Sequence, residues 1–140
     1  MSAPIASRAF RYLATLSALS FFALGAAWLL APAAMLANWG VAFDSDALGV
    51  LGRRAAPLYA AIGVMLLLVR TAPPSPGRRA VVAGFVTACL LLAVLGVAEW
   101  VAGHVNAGIF AAVAIEIGFP LAFLLVTRAE AASRQNDKAR

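Results

Sequence analysis

The stretch AVVAGFVTACLLLAVLGVAEW, residues 80–100, contains no lysine or arginine and only one acidic residue, Glu99. The hydrocarbon core of a bilayer is ~30 Å thick, and a helix of ~20 apolar residues crosses it at a rise of ~1.5 Å per residue. Lipid offers the backbone no hydrogen-bond partner, and these residues lack the alternation of a barrel strand. The stretch therefore predicts a membrane-spanning helix.

Three further apolar runs of similar length occupy residues 12–30, 48–69 and 107–127. Short polar or Pro- and Gly-containing segments separate them, and a polar tail follows at residues 128–140. The first run follows two arginines and so also resembles a signal peptide, but it is long for the apolar core of one. We therefore expect an all-α integral membrane protein, a four-transmembrane-helix bundle formed by residues 1–140 as a single domain.

The composition of the 140-residue chain supports this class, with 64% apolar and 12% charged residues. Soluble domains have ~45–50% apolar and ~25% charged residues, and disordered chains are poorer still in apolar residues. Both of those classes are thereby excluded.

The basic residues are divided unequally between the two ends of the predicted bundle. Nine of the eleven lie in the N-terminal tail, the second connection and the C-terminal tail. Because positive loops face the cytoplasm, both termini are expected to be cytoplasmic. The net charge of +5 then reflects orientation, and no nucleic-acid partner is expected. The nine residues are Arg8, Arg11, Arg70, Arg78, Arg79, Arg128, Arg134, Lys138 and Arg140.

A few charged residues inside the predicted spans are not explained by orientation. Glu116 lies ten residues past Asn106, which immediately precedes the fourth span, and is therefore ~15 Å deep and near the midplane. Arg53 lies ~25 Å from the cytoplasmic end of the second span, and Glu99 reaches a similar level on the third. Intramembrane ionisable residues mark candidate functional sites. We therefore predict an outward-facing polar pocket, with Arg53 and Glu99 at its rim and Glu116 at its floor.

Four other residues are expected near this pocket: Arg54, Tyr59, Trp100 and His104. Two interpretations stay open. In the structural one, Arg53 and Glu99 form an interhelical ion pair and a protonated Glu116 forms hydrogen bonds between helices. In the functional one, the pocket binds or conducts a small polar or anionic ligand.

No pattern in the sequence indicates a catalytic or metal site. The chain has one cysteine, Cys89, and one histidine, His104, which is too few for a cysteine-based metal site or for bis-histidine haem ligation. No phosphate-binding loop or nucleophile elbow is present. We expect no catalytic residue, no metal and no cofactor, with haem or quinone entering only if a partner contributes, and we lean against an enzyme.

Small residues recur four apart in the spans and are expected to form the helix contacts. These rows are Ala23, Ala27 and Ala31; Ala80, Gly84 and Ala88; Gly108 and Ala112, which lead to Glu116 and Pro120; and Ala114, Gly118 and Ala122.

The four spans, the outward loop in the N-terminal half and the stretch GRRAAPLY at residues 52–59 resemble small bacterial four-helix membrane proteins of the DoxX-like kind. The richness in Ala, Arg and Gly is typical of a high-GC bacterial genome, so the bacterial inner membrane is the expected location. With few residues outside the spans, we expect an accessory or stabilising subunit of a larger membrane complex, or a homo-oligomer. The alternative is a small-molecule or ion transporter, or a ligand-binding bundle.

Overall fold

The chain is all-helical over residues 7–138, the part that the computed structural model describes, with side chains through residue 136. Four of its five helices are long and apolar enough to cross a membrane. The prediction of an all-α protein with four candidate spans is therefore confirmed. The helices are α1 (Arg8–Leu30), α2 (Pro32–Asn38), α3 (Asp46–Val69), α4 (Pro76–Val101) and α5 (Ile109–Lys138).

The short helix α2 was not predicted as a separate element. The backbone leaves helical geometry at Ala31 (φ −141°, ψ 53°), and Pro32 then occupies the first turn of a new helix. Proline suits that position because the first turn needs no amide donor. Beyond α2, the ring of Trp39 packs 5.6 Å from that of Trp28 on α1. The connection after the first span is thereby attached to the bundle.

The long helices extend beyond the predicted apolar runs because polar residues cap and continue them. Ser7 caps α1 and Ser75 caps α4, each accepting a hydrogen bond at 3.2 Å from the amide three residues later. The tail predicted at residues 128–140 continues α5 as far as Lys138. Arg140 lies outside the described residues.

Helix α1 packs most extensively on α3, and glycines allow this close approach. A Cβ added at Gly25 of α1 would lie 3.0 Å from the carbonyl oxygen of Ala56 on α3. A Cβ at Gly52 of α3 would lie 2.9 Å from the Trp28 ring. The hydrophobic effect does not drive helices together in lipid, and close backbone approach allows the van der Waals packing that does.

Helices α4 and α5 form a second closely packed pair, and aromatic side chains join the two pairs. The rings of Phe21 and Phe85 lie 5.4 Å apart, those of Phe85 and Phe123 5.3 Å, and those of Phe10 and Phe123 5.7 Å. Phe10 and Phe123 are fully buried. This aromatic core lies toward the end of the bundle that carries most of the basic residues, here called the basic end.

The expected rows of small residues are not the main contacts within the bundle. A Cβ added at Gly108, just before α5, would clash with the carbonyl oxygen of Asn38. Ala23 of α1, in contrast, is exposed, and no atom of a described residue lies within 4 Å of a Cβ added at Gly84 of α4 or Gly118 of α5. The faces of α4 and α5 that bear these glycines point outward. Larger side chains such as Phe85 fill the interior instead.

Candidate functional site

The two arginines of the second span lie at the surface of the bundle. Arg53 and Arg54 are exposed on α3, and neither forms an ion pair with a described residue. The Arg53 guanidinium lies along its own helix, where a Cβ added at Gly49 would be 3.3 Å from Nη1. The structure therefore does not bring Arg53 together with the carboxylates of the predicted pocket.

Glu99 has a different partner from the one expected. Its Oε2 lies 2.7 Å from Nδ1 of His104, which follows in the turn after α4. Both side chains are well exposed, at 43% for Glu99 and 70% for His104. The Arg53–Glu99 ion pair of the structural interpretation is not formed, because α3 and α4 touch only slightly. The chain reversal after α4 instead brings His104 back to Glu99.

Glu116 is half-buried on α5, on the same face as the buried Pro120 one turn later. Neither ion pair of the described residues includes Glu116. Tyr59 on α3 is partly buried, and its ring lies 6.0 Å from that of Phe21 on α1. Trp100 is exposed, and its ring packs 5.0 Å from that of Phe110.

Among the described ionisable side chains, Arg78 at the basic end is the most extensively bonded. From the sequence, the arginines at this end were expected only to set the orientation in the membrane. Arg78 is almost fully buried, with 3% of its side chain exposed. Its Nη2 donates to Oε2 of Glu130 on α5, and its Nη1 donates to the carbonyl of Ala72 at 3.3 Å. Its guanidinium carbon lies 3.4 Å from the centroid of the Phe10 ring on α1. This one side chain thus contacts α1, α5 and the α3–α4 connection.

Glu130 completes this cluster of Arg78, Glu130, Ser7, Phe10 and Ala72, here called the basic-end clamp. Its Oε1 accepts a hydrogen bond at 3.0 Å from the backbone amide of Ser7. Glu130 lies three residues past the apolar run that ends at Thr127. Burial by itself would raise the pKa of Glu130, but the hydrogen bonds from Ser7 and the adjacent Arg78 outweigh it and hold the pKa below its ordinary value. The carboxylate is therefore ionised at neutral pH.

The clamp was not predicted, although the spacing of residues on α4 contains a signal for it. Arg78 is in register with Val82, Phe85 and Cys89, at intervals of three and four residues that place them on one helix face. All four are buried. Arg79 points away by about 100° and is exposed.

The described residues contain no group of three histidine, cysteine, aspartate or glutamate side chains that could hold a metal ion. The clamp is a set of satisfied charges. The accessible ionisable groups of the described residues include Glu116 within the bundle and arginines at the basic end; those at the other end include Asp44, Asp46, Arg53, Arg54, Glu99 and His104. No protein-family model, curated protein or solved structure matches this chain.

Proposed function

We propose that this chain is a non-enzymatic membrane protein that associates through the outward faces of α4 and α5, either with a larger membrane complex or with copies of itself. In that role it is an accessory or stabilising subunit, or a homo-oligomer. The proposal includes the bacterial inner membrane as its location, the DoxX-like architecture and cytoplasmic termini. The positive-inside trend supports this orientation, because Arg8, Arg11, Arg79, Arg128 and Arg134 share one end.

The observation that carries the proposal is the open space beside two outward glycines. Within the part of the chain that the structure describes, nothing lies within 4 Å of a Cβ at Gly84 or Gly118. Glycine in a helix interior costs ~0.5–1 kcal/mol relative to alanine, and packing within the chain does not offset this cost here. Helices in lipid associate where small residues allow close backbone approach. A second helix seated on these faces would use that space.

The surroundings of these glycines suit a helix or lipid rather than water. Leu91 and Leu95 on α4 and Leu121 and Leu125 on α5 are all more than half exposed. No charged side chain occurs on α4 between Arg79 and Glu99. An associating helix would therefore meet a continuous apolar face with close-approach points.

Bulky substitution of the two glycines tests the proposal. In the Gly84→Leu and Gly118→Leu variants, the isolated fold should be unchanged because the added side chains meet nothing within the chain. Self-association is measured by energy transfer between labelled chains in vesicles, and retention of a stoichiometric partner by co-purification in mild detergent. We expect at least one of the two variants to weaken association by 10-fold or more.

Ala26→Leu on α1 is the matched control because Ala26 is also exposed on a long helix. Thermal unfolding in detergent verifies that all three variants fold. Association that survives both glycine substitutions, or that Ala26→Leu weakens equally, would overturn the proposal.

A ligand-binding or transport role is the second candidate, favoured by the placement of Glu116. A half-buried carboxylate near the middle of the apolar run at residues 107–127 is a costly arrangement that often marks an ion or proton pathway. Glu116→Gln keeps the shape of the side chain and removes its ionisation. Loss of proton or solute flux in vesicles, with association intact, would favour transport over the accessory role. Arg53→Ala provides the comparison, since Arg53 is exposed and lies on a different helix, α3.

A further inference from the structure

A groove of about 690 Å³ runs between α4 and α5 at the basic end. Its apolar part is formed by Val82, Ala83, Val86 and Leu124, which belong to the membrane-spanning runs. Its polar part is formed at the ends of those runs, where Thr127 and the arginines follow. The groove is therefore amphipathic along its length.

The charge in the groove is strongly positive. Four arginines and one glutamate line it, so that its formal charge is +3. Arg78 and Glu130 neutralise each other within the clamp. The three remaining arginines, Arg79, Arg128 and Arg134, are exposed and form no ion pair with a described residue.

These three arginines come from two helices and meet at one opening. Arg79 is in the first turn of α4, and Arg128 and Arg134 follow the apolar run of α5. The planar guanidinium group binds phosphate oxygens with paired hydrogen bonds. Basic pockets between transmembrane helices bind the headgroups of anionic lipids. An inorganic anion would use only the mouth of the groove and leave the apolar part unused.

From this combination we infer that the groove between α4 and α5 is a binding site for an anionic phospholipid. The phosphate lies among Arg79, Arg128 and Arg134, and an acyl chain lies against Val82 and Val86. This inference is independent of the association proposed above, which uses the outward glycine faces. The clamp contributes by fixing the relative position of α4 and α5 and by neutralising Glu130, which would otherwise repel the headgroup.

The test measures lipid retention by the full chain in detergent, using phosphatidylglycerol as the probe and phosphatidylcholine as the neutral comparison. Native mass spectrometry counts the lipids that stay bound. Each arginine near a membrane surface contributes about 5-fold in affinity for anionic lipid, so the Arg79→Gln, Arg128→Gln double variant should bind phosphatidylglycerol about 30-fold more weakly. Phosphatidylcholine binding should change little.

The other end of the bundle offers a matched control. The Arg53→Gln, Arg54→Gln double variant removes the same charge from two exposed arginines and should retain phosphatidylglycerol as the unmodified chain does. Equal losses in both double variants would show attraction by net charge alone and overturn the inference.

A further variant tests the apolar part without changing charge. Ala83 lines the groove and is exposed, so Ala83→Trp should fill it while the fold persists. Unchanged phosphatidylglycerol binding in this variant would overturn the inference.

Competition separates a lipid from a free anion: short-chain phosphatidylglycerol should displace the bound lipid, whereas inorganic phosphate at equal concentration should not. Equal displacement by phosphate would identify an anion site and contradict the assignment to lipid.

Discussion

Replacing Arg78 with methionine would remove three contacts of one buried side chain. Glu130 would lose its cationic partner, the carbonyl of Ala72 would lose a donor, and the Phe10 ring would lose its stacked guanidinium. Methionine keeps an unbranched apolar chain that still packs against the ring. The substitution therefore isolates the charge and its hydrogen bonds.

The size of the effect follows from the burial of the pair. Exposed ion pairs contribute ~0–1 kcal/mol because water and salt screen them. Here the exposed fractions are only 3% for Arg78 and 11% for Glu130, so removal of one partner leaves a buried charge uncompensated. Such losses cost ~3–5 kcal/mol. Packing of the methionine sulfur on the Phe10 ring recovers ~0.3–1.5 kcal/mol, so we expect a net loss of about 3 kcal/mol.

The assay is reversible unfolding in mixed micelles without anionic lipid, with the free energy of unfolding as the readout. Arg79→Met is the matched control, because Arg79 is the next residue of the same helix, is exposed and forms no ion pair with a described residue. It should change the free energy by less than about 0.5 kcal/mol. A double-mutant cycle with Glu130→Gln should show a coupling of more than about 1 kcal/mol. Equal effects of Arg78→Met and Arg79→Met, or additive effects in the cycle, would refute the reasoning.

Three further outcomes follow from the same packing. The pKa of Glu130 is lower in the folded chain than its ordinary value of 4.5, so the stabilisation by its carboxylate is present above pH 4.5 and is lost as the pH falls through the lower folded pKa. The difference in free energy of unfolding between the unmodified chain and Glu130→Gln should therefore shrink below about pH 4.5. A difference that does not change with pH would contradict this. The Ser17 hydroxyl is fully buried without a hydrogen-bond partner, so Ser17→Ala should raise the free energy of unfolding by about 1 kcal/mol, whereas a loss of stability would reveal a missed partner. Gly52→Ala would place its Cβ 2.9 Å from the Trp28 ring and should destabilise by about 1–3 kcal/mol in the same titration, and a neutral result would show that α1 and α3 can separate at little cost.

The architecture was predictable because each span is long enough to cross a bilayer and lipid permits few alternatives to a helix. The break between α1 and α2 at Ala31 was harder to predict. The sequence shows Pro32, which is compatible with either an end or a first turn, and the backbone at Ala31 decides between them. The helix ends also exceed the apolar runs, because polar residues such as those after Thr127 can continue a helix beyond its apolar part.

The candidate site was harder to predict because helix faces in lipid show little contrast. In a soluble helix the polar face identifies the exterior, but here both faces of α4 are apolar between Arg79 and Glu99. The rule that small residues mark contacts therefore assigned Gly84 to the interior, whereas it faces outward. Arg78 and Arg79 are adjacent residues of the same type. Only their positions around the helix, relative to the face that carries buried residues such as Phe85, distinguish them.

The pairing of helices also explains why no interhelical ion pair forms in the predicted outer pocket, whereas one forms at the basic end. Depth along a helix is predictable from a count of residues, and Arg53 and Glu99 were placed at similar levels in this way. Lateral proximity depends on which helices touch, and α3 packs on α1 far more than on α4. A shared level therefore gave no contact between Arg53 and Glu99, whereas the α4–α5 pairing brought Arg78 to Glu130.

The two proposals place different functions on neighbouring faces of α4, and their variants can separate them. Ala83 lines the groove, whereas the next residue, Gly84, faces open space. If Gly84→Leu weakens association and leaves phosphatidylglycerol bound, while Arg79→Gln with Arg128→Gln does the reverse, the two faces act independently. If each variant removes both properties, the lipid itself forms part of the contact between chains. The charged groove and the outward glycine face lie side by side on α4. Measuring association and phosphatidylglycerol binding in the same variants therefore decides how this bundle associates.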